Sequence, residues 1–467
     1  MPEVRTWQLT AGAAVVGLAL AAGAVAAAGP WDSGQRKAER QRAAAPARVG
    51  EAHHEPAAPR PPAPAPSAPV VLAALGTPRA EPANAPASGP ADLSKTLAPL
   101  LSDPALGTAR TACVIDVATG ARLYGKGAET PMTPASTIKI ATAVAALTAL
   151  GPDHRIPTTV VAAPDAEGIT LVGGGDATLE RAGLARLADR TARALRDRGI
   201  TKVRLAYDTS LYQGPALHPI GRNGNLAPIS ALMVDQGRRA PKSTGSATRS
   251  TDPARDAARL FTELLAGKGV RASAHPAPGR PAKNAVPLAQ VLSGPLSAMV
   301  ERMLTTSDND IAESLARQTA VATGRPAHAV GAGRAVAAQL RRLELPVEGA
   351  RFADGSGLDR NDKVSGALLT ALLATAADPD HPELRPVLTG LPVAGFSGTL
   401  EERYANGSAG TGLVRAKTGT LSGVDTLAGT VVTADGRLLA FAFLAGGTES
   451  RDTARPALDR LAAALVP

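Results

Sequence analysis

Three short groups of residues in this chain are of types and spacings that could do chemistry together. Ser136 and Lys139 stand three apart in Ser136-Thr137-Ile138-Lys139, where a helical pattern begins. On a helix that spacing puts the hydroxyl and the amine on one face. If desolvation or a second cation lowers its pKa, the amine can take the hydroxyl's proton and leave a serine nucleophile, while the helix N-terminus offers a backbone N–H to a developing oxyanion. Ser307-Asp308-Asn309 supplies a second hydroxyl, able to relay a proton, and an amide able to hold a substrate carbonyl or the catalytic lysine. Lys417-Thr418-Gly419-Thr420 lies on a predicted strand, where main-chain hydrogen bonds align an extended peptide. Its Lys and Thr would meet a terminal carboxylate, its Gly would leave room for close approach, and the N–H of Thr420 would complete an oxyanion hole. Taken singly, each group has a plainer reading: an N-capping serine with a surface lysine, a polar turn, and a strand end with its lysine in solvent.

The elements that must position these groups follow from pattern. Residues 111–127 read as two strands joined at Ala118-Thr119-Gly120, and Pro134 leads into a helix ended by Gly151. Strand-like runs over 156–162 and 168–176, a helix near Leu184 to Arg198, a strand over 201–208 and a helix announced by Thr251-Asp252-Pro253 give the middle an α/β texture. The C-terminal third is mostly helical until Val414. There three strands follow, the last two joined at Asp435-Gly436, before a final helix. A sheet would therefore draw strands from both ends of the body.

Composition bounds the rest. The 467 residues carry 50 Lys or Arg against 41 Asp or Glu, a formal charge of +9, and only five Phe, four Tyr and two Trp. Any core is filled mainly by Ala, Val, Leu and Ile. One cysteine excludes a disulfide framework and a thiolate cluster, and the seven His show no ligand spacing beyond the adjacent pair at 53 and 54, so neither a metal nor an organic cofactor is expected. Nucleic acid is not an expected partner, because the arginines are scattered and few aromatics exist to stack bases. Arginine supplies most of the positive charge, and two of only ten lysines fall in the motifs above.

The N-terminal segment has a different character. Thr6 to Pro30 contains no charge and is about long enough to cross a bilayer, so residues 1–30 are expected to be a signal peptide or an uncleaved membrane anchor, and the protein to be exported. The basic cluster Arg36, Lys37, Arg40 and Arg42 just beyond it opposes translocation of that flank. Residues 31–92, rich in Ala and Pro, are expected to form a disordered linker.

The order Ser-x-x-Lys at a helix start, then Ser-Asp-Asn, then Lys-Thr-Gly on a late strand resembles the penicillin-recognising active-site serine enzymes. The segments 171–180, 207–215, 226–238, 352–366 and 391–404 are similar to those of one branch, the class C low-molecular-mass penicillin-binding proteins, serine DD-peptidases of the D-alanyl-D-alanine carboxypeptidase and endopeptidase type. The resemblance implies an α/β (α+β) penicillin-binding, β-lactamase-like transpeptidase fold: an antiparallel sheet flanked by helices, a helical subdomain and a smaller inserted α/β subdomain. The body would divide into 93–151, an insert over 152–285, and 286–467.

It further implies Ser136 as the acylated nucleophile, Lys139 as its base, Ser307 as proton relay and Asn309 as orienter. Lys417, Thr418 and Thr420 would receive the carboxylate of a peptidoglycan stem peptide ending in D-Ala-D-Ala, with the N–H groups of Ser136 and Thr420 as oxyanion hole. β-Lactam antibiotics would acylate the same serine. The insert resembles a shortened version of the family's, since only a polar linker follows Pro241 before the Asp252 helix. A class A β-lactamase would need a Glu-containing deacylation loop, and no Glu-x-x-x-Asn sequence occurs between Lys139 and Ser307. An α/β-hydrolase would need a Gly-x-Ser-x-Gly elbow, which is absent. A binding module or β-lactam sensor without activity would not need all three groups.

Overall fold

The computed structural model describes residues 90–164, 168–240, 245–404 and 407–466. The leader expected over 1–30 and nearly all of the linker expected over 31–92 lie outside the described residues. The chain enters through helix α1 (Pro90–Leu101), which starts inside the expected linker. Pro90 is suited to a first helical turn, and Leu97 and Leu101, one turn apart, are both buried.

Strands β1 (Ala109–Asp116) and β2 (Arg122–Lys126) form the expected hairpin. A 3-10 turn over Ala135–Ile138 then runs directly into helix α2 (Lys139–Leu150). Nine residues of α2, from Lys139 to Leu147, are buried. A helix apolar around its circumference belongs inside a core.

The inserted unit follows. It contains β3 (Pro157–Ala162), β4 (Gly168–Val172), α3 (Arg181–Arg196), β5 (Arg204–Asp208), α4 (Pro253–Ala266), β6 (Ala277–Pro278) and β7 (Val286–Leu292). Its sheet has the order β6-β5-β4-β3-β7, with β4, β5 and β6 parallel and the β3 pairings antiparallel. Leu184, Leu187 and Leu195 of α3 and Phe261 and Leu265 of α4 close over Val160, Ile169, Leu171 and Tyr207. The boundary expected at 285 is corrected here, because β7 pairs with β3 from Pro157↔Leu292 to Ala162↔Val286. As an edge strand carrying Pro287, with Val291 its only buried residue, β7 shows little of the alternation that marks a strand in sequence.

Helices α5 (Leu296–Thr306), α6 (Asn309–Ala322), α7 (Ala329–Arg342), α8 (Gly366–Ala377) and the short α9 (Pro386–Thr389) gather around α2. Strands β8 (Val414–Leu421), β9 (Val424–Val432) and β10 (Leu438–Gly446) return to the first sheet, and α10 (Arg451–Ala463) ends the fold. The first sheet has the order β2-β1-β10-β9-β8 and is antiparallel throughout, so strands from both ends of the body do share it.

Alternation sorts its two faces. Val114, Phe441 and Phe443 point to α1 and α10, where the two Phe rings stack at 5.2 Å. Cys113, Ala440 and Ala442 point to the helical side, and these small residues let α8 lie close. Cys113 is buried against Thr370, and burial raises its thiol pKa, as suits a packing residue. Among the described residues no helix is long and apolar enough to cross a membrane.

Candidate active site

The turn that carries Ser136 is strained and held from three sides. Ala135, just before it, has φ +48°, a left-handed conformation uncommon outside glycine. A Cβ on Gly357 would lie 2.0 Å from the Ala135 carbonyl oxygen. One on Gly419 would lie 2.6 Å from the Pro134 oxygen and 3.0 Å from the Ser136 nitrogen. Thr426 of β9 donates its hydroxyl to the Pro134 oxygen at 2.7 Å. The close approach that requires a glycine at 419 is therefore to the serine's own turn. This arrangement leaves Ser136 half-buried, while Lys139, one turn on, has no exposed surface.

Lys139 has three partners. Its Nζ lies 2.9 Å from Ser136 Oγ, 2.7 Å from Asn309 Oδ1 and 2.6 Å from the Ser356 carbonyl oxygen. Burial pushes its pKa down to about 8, against the opposing pull of Asp354, Asp308 and Glu313. A neutral amine in this place can donate to Asn309 and Ser356 while its lone pair accepts the Ser136 proton.

The Ser-Asp-Asn group is built by two helix ends. Ser307 is the left-handed C-cap of α5 (φ +59°), and Asp308 is the N-cap of α6, accepting from the Ile311 N–H. The capping role that such residues usually have is real here, and the same geometry turns Asn309 towards Lys139. Its Nδ2 donates to the Asn225 carbonyl at 3.0 Å, fixing the amide so that Oδ1 faces the lysine.

Lys417 is also without exposed surface. Its Nζ donates to Ser307 Oγ at 2.9 Å and to the Thr418 carbonyl at 2.8 Å. Burial, with the Lys139 charge in support, holds its pKa well below that of an ordinary lysine. Thr418 and Thr420 lie on the opposite face of β8 and are less buried. Their hydroxyls meet Thr399 at 2.8 Å and Asp425 at 3.3 Å. Ser136, Lys139, Asn309, Ser307 and Lys417 thus form one connected set through Lys139 and the α5–α6 junction. Thr418 and Thr420 make no side-chain hydrogen bond to that set among the described residues. A cleft of about 380 Å³ opens beside Ser307 and Asn309, bounded by Glu180, Asp235, Arg238 and Arg302.

One part of the site has no assigned residue in the sequence reading: the turn Asp354-Gly355-Ser356-Gly357, which brings the Ser356 carbonyl to Lys139. Asp354 accepts from the N–H groups of Ser356 (2.9 Å), Gly357 (2.5 Å) and Asp359 (2.7 Å) and from His218 Nε2 (3.0 Å). Glu313 accepts from the Gly355 and Ser356 N–H groups at 3.0 and 3.1 Å and pairs with Arg317 at 2.7 Å. His218, Glu313 and Asp354 do bring three ligand-type atoms within 4.8 Å. Those atoms face N–H donors and a guanidinium, an environment made for anions, so the cluster does not fit a metal ion. Burial and the Asp354 charge push Asp362 far up, which leaves it protonated, while hydrogen bonds hold Asp354 ionised. The available signal in sequence was the Asp-Gly-Ser-Gly turn itself.

An all-antiparallel sheet packed on a buried central helix, with a serine at the helix start and two buried lysines around it, defines a serine enzyme of the penicillin-binding fold. The profile of the D-Ala-D-Ala carboxypeptidase 3 (S13) family matches residues 93–247 and 239–465, and the chain belongs to that family. It is 38% identical over 391 residues to Carboxypeptidase DacB of Mycolicibacterium smegmatis, covering 80% of this chain and 83% of that one. It is 31% identical over 458 residues to a D-alanyl-D-alanine carboxypeptidase of Actinomadura, covering 79% and 84%. In fold it is similar to penicillin binding protein 4 of Haemophilus influenzae, with a TM-score of 0.65 at 23% identity over 80% of this chain and 97% of that one.

Proposed function

We propose that the chain is a serine-type D-Ala-D-Ala carboxypeptidase that cleaves the terminal peptide bond of peptidoglycan stem peptides through an acyl-enzyme on Ser136. The observation that carries this reading is the buried Lys139 amine 2.9 Å from Ser136 Oγ and fixed by Asn309. As Ser136 attacks the penultimate D-Ala carbonyl, Lys139 takes its proton and the N–H groups of Ser136 and Thr420 receive the oxyanion. Ser307, joined to Lys417, relays the proton taken up by Lys139 to the nitrogen of the departing D-alanine, so the C–N bond breaks and Lys139 is neutral again. Lys417 with Thr418 and Thr420 offers the positive, hydroxyl-lined end that a free carboxylate needs. Water then attacks the ester, with Lys139 again as base.

The ring of a β-lactam presents the same amide and carboxylate, so it acylates the same serine, and Haemophilus penicillin binding protein 4 has been solved with a β-lactam bound. Endopeptidase cleavage would use the same acyl-enzyme with a longer leaving group. We further propose export, with the charge-free run from Thr6 to Pro30 acting as signal peptide or membrane anchor.

Intact-protein mass spectrometry after exposure to penicillin tests the nucleophile, with an adduct on Ser136 expected. Release of D-alanine from a D-Ala-D-Ala peptide tests the activity. Rapid penicillin turnover without peptide hydrolysis would instead indicate a β-lactamase. Cell fractionation tests the location, and protein confined to the cytoplasm would refute export.

A further inference from the structure

His218 is an ionisable side chain that the inserted unit buries against the turn beside Lys139. His218 lies on the segment between β5 and α4, retains only 6% of its surface and meets Asp354 inside the core. Its tautomer follows from its neighbours: the Ile220 N–H points at Nδ1 (3.3 Å), so Nδ1 accepts and Nε2 carries the hydrogen given to Asp354 Oδ2. Asp354 in turn gathers the N–H groups of Ser356, Gly357 and Asp359 and the Ser356 hydroxyl. The carbonyl that leaves this turn is the one 2.6 Å from Lys139 Nζ. A chain of contacts thus joins His218, Asp354, Ser356 and Lys139, and its first member belongs to a different part of the fold from its last.

We propose that His218 is a positioning residue for acylation: by donating from Nε2 to Asp354 it fixes the turn whose Ser356 carbonyl orients the Lys139 amine. The proposal rests on the reading of Ser136 as nucleophile and Lys139 as its base. His218 touches none of the reacting atoms. Its contribution is to keep the carbonyl where the amine must present its lone pair to Ser136 Oγ, and a small misplacement there is costly to rate. It also supplies the hydrogen-bond donor from the insert to a carboxylate otherwise held by the donors of its own turn.

Electrostatics adds a signature that mere packing would not have. The charged groups facing His218 are Asp354, Glu313 and Asp359. Those facing Lys139 are Asp354, Asp308 and Glu313, with Lys417 opposing them and Asp362 held neutral. Asp354 is common to both sets and favours the Lys139 ammonium. If the turn loosens, the ammonium loses the Ser356 carbonyl and part of the Asp354 attraction. The pKa of Lys139 then falls, and the acid limb of the acylation profile moves to lower pH even as the maximal rate drops.

The test compares His218→Gln with His218→Asn in the full chain, with a fluorescent penicillin as probe. The Gln amide nitrogen sits where Nε2 was and can still donate to Asp354; the Asn nitrogen sits where Nδ1 was and cannot reach it. For the Asn variant, the expected result is a maximal acylation rate about tenfold or more below the parent's, with the preceding binding constant changed less than about threefold and the acid limb moved to lower pH. The Gln variant is expected within about threefold of the parent in rate, with its midpoint unmoved. An Asn variant equal to the parent, or a Gln variant as slow as Asn, would overturn the proposal. If the Asn variant does not fold, nitrogen NMR of the labelled parent decides: the His218 ring signals must move when Ser136 is acylated, and static signals refute the coupling. A parent that takes no penicillin on Ser136 would refute the proposed function itself, a result distinct from an acylated parent with indifferent variants.

Discussion

Lys417 Nζ and Ser307 Oγ are hydrogen-bonded at 2.9 Å across the junction between the first sheet and the α5–α6 turn. The contact places an amine with a lowered pKa behind the hydroxyl proposed to serve the leaving group, where an incoming substrate carboxylate would favour its charged form. Both lysines of the site are buried, yet they have different partners. Lys139 holds Ser136 and Asn309, and Lys417 holds Ser307.

The two lysines should accordingly fail differently. Lys139→Ala removes the proposed base, so acylation by penicillin and hydrolysis of a D-Ala-D-Ala peptide should both fall by about 10³-fold or more, with little change in the preceding binding step. Lys417→Ala should lower the rate less but weaken binding as well, because the carboxylate loses its cation. A peptide amidated at its C-terminus should discriminate poorly between parent and Lys417→Ala. Stopped-flow acylation with each substrate separates rate from affinity, and identical rate and binding defects in the two variants would contradict these roles.

The pKa of Lys139, about 8, predicts a pH dependence with a definite sign. The amine must be neutral to accept a proton, so the acylation rate should rise through an acid limb centred near that value. Linkage gives the stability counterpart. A lysine whose folded pKa is depressed binds more protons unfolded than folded between that pKa and about 10.5, so its contribution to stability increases with pH across the window. From the two values the gain is on the order of 3 kcal/mol, and it should be missing in Lys139→Met, whose chain has similar length and no titration. Urea denaturation of parent and variant at pH 7.5 and 10 measures the difference. A parallel response of the two proteins would refute the linkage.

Much of this site was legible before any coordinates. Ser136, Lys139, Ser307, Asn309 and Lys417 are identifiable because each is a side chain in a short motif of restricted composition, and the motifs occur in a fixed order. The strands over 414–446 were legible for a related reason, since buried strands with tight turns carry their pattern locally. What was not legible depends on long-range packing. The Ser356 carbonyl is backbone and has no residue signature, and His218 and Glu313 enter the site from segments 136 and 42 residues away from their partners near Ser356. The plain reading of a solvated lysine fails at both 139 and 417 because the burial of a side chain is set by neighbours distant in sequence. Strand β7 was missed because an exposed edge needs no apolar alternation.

Gly419 offers a test of the strained turn. A Cβ there would come 2.2 Å from the Thr426 hydroxyl and 2.6 Å from the Pro134 oxygen, so Gly419→Ala must displace either β8 or the Ser136 turn. Acylation should slow by about 10²-fold, since the nucleophile and its base lose their alignment. Gly436→Ala is the appropriate comparison for backbone effects, because Gly436 also lies in the sheet hairpins but has open space around it. Its φ of +81° should cost about 1 kcal/mol of stability while leaving the acylation rate intact. A Gly419→Ala variant with the parent's acylation rate would show that the turn tolerates the shift.

The inserted unit is tied to helix α6 by an ion pair, as it is tied to the Asp354 turn by His218. Arg249 Nη1 lies 3.0 Å from Asp310 Oδ2, with both side chains buried, and Asp310 also accepts from the Ala227 N–H. Burial pushes the Asp310 pKa up to about 6 despite the attraction of Arg249. Removing the arginine leaves a buried carboxylate without its cation, so Arg249→Leu should lose about 3–5 kcal/mol at pH 7. The sign of the pH effect follows: a carboxyl with a raised folded pKa takes up a proton more readily folded than unfolded, so its burdensome charge disappears as pH falls. The destabilisation should therefore shrink at pH 5, where Asp310 is neutral in the variant, and Asp310→Asn combined with Arg249→Leu should recover part of the loss at pH 7. Thermal or urea unfolding at the two pH values measures this. A loss as large at pH 5 as at pH 7 would mean that Arg249 acts through packing and not through its charge.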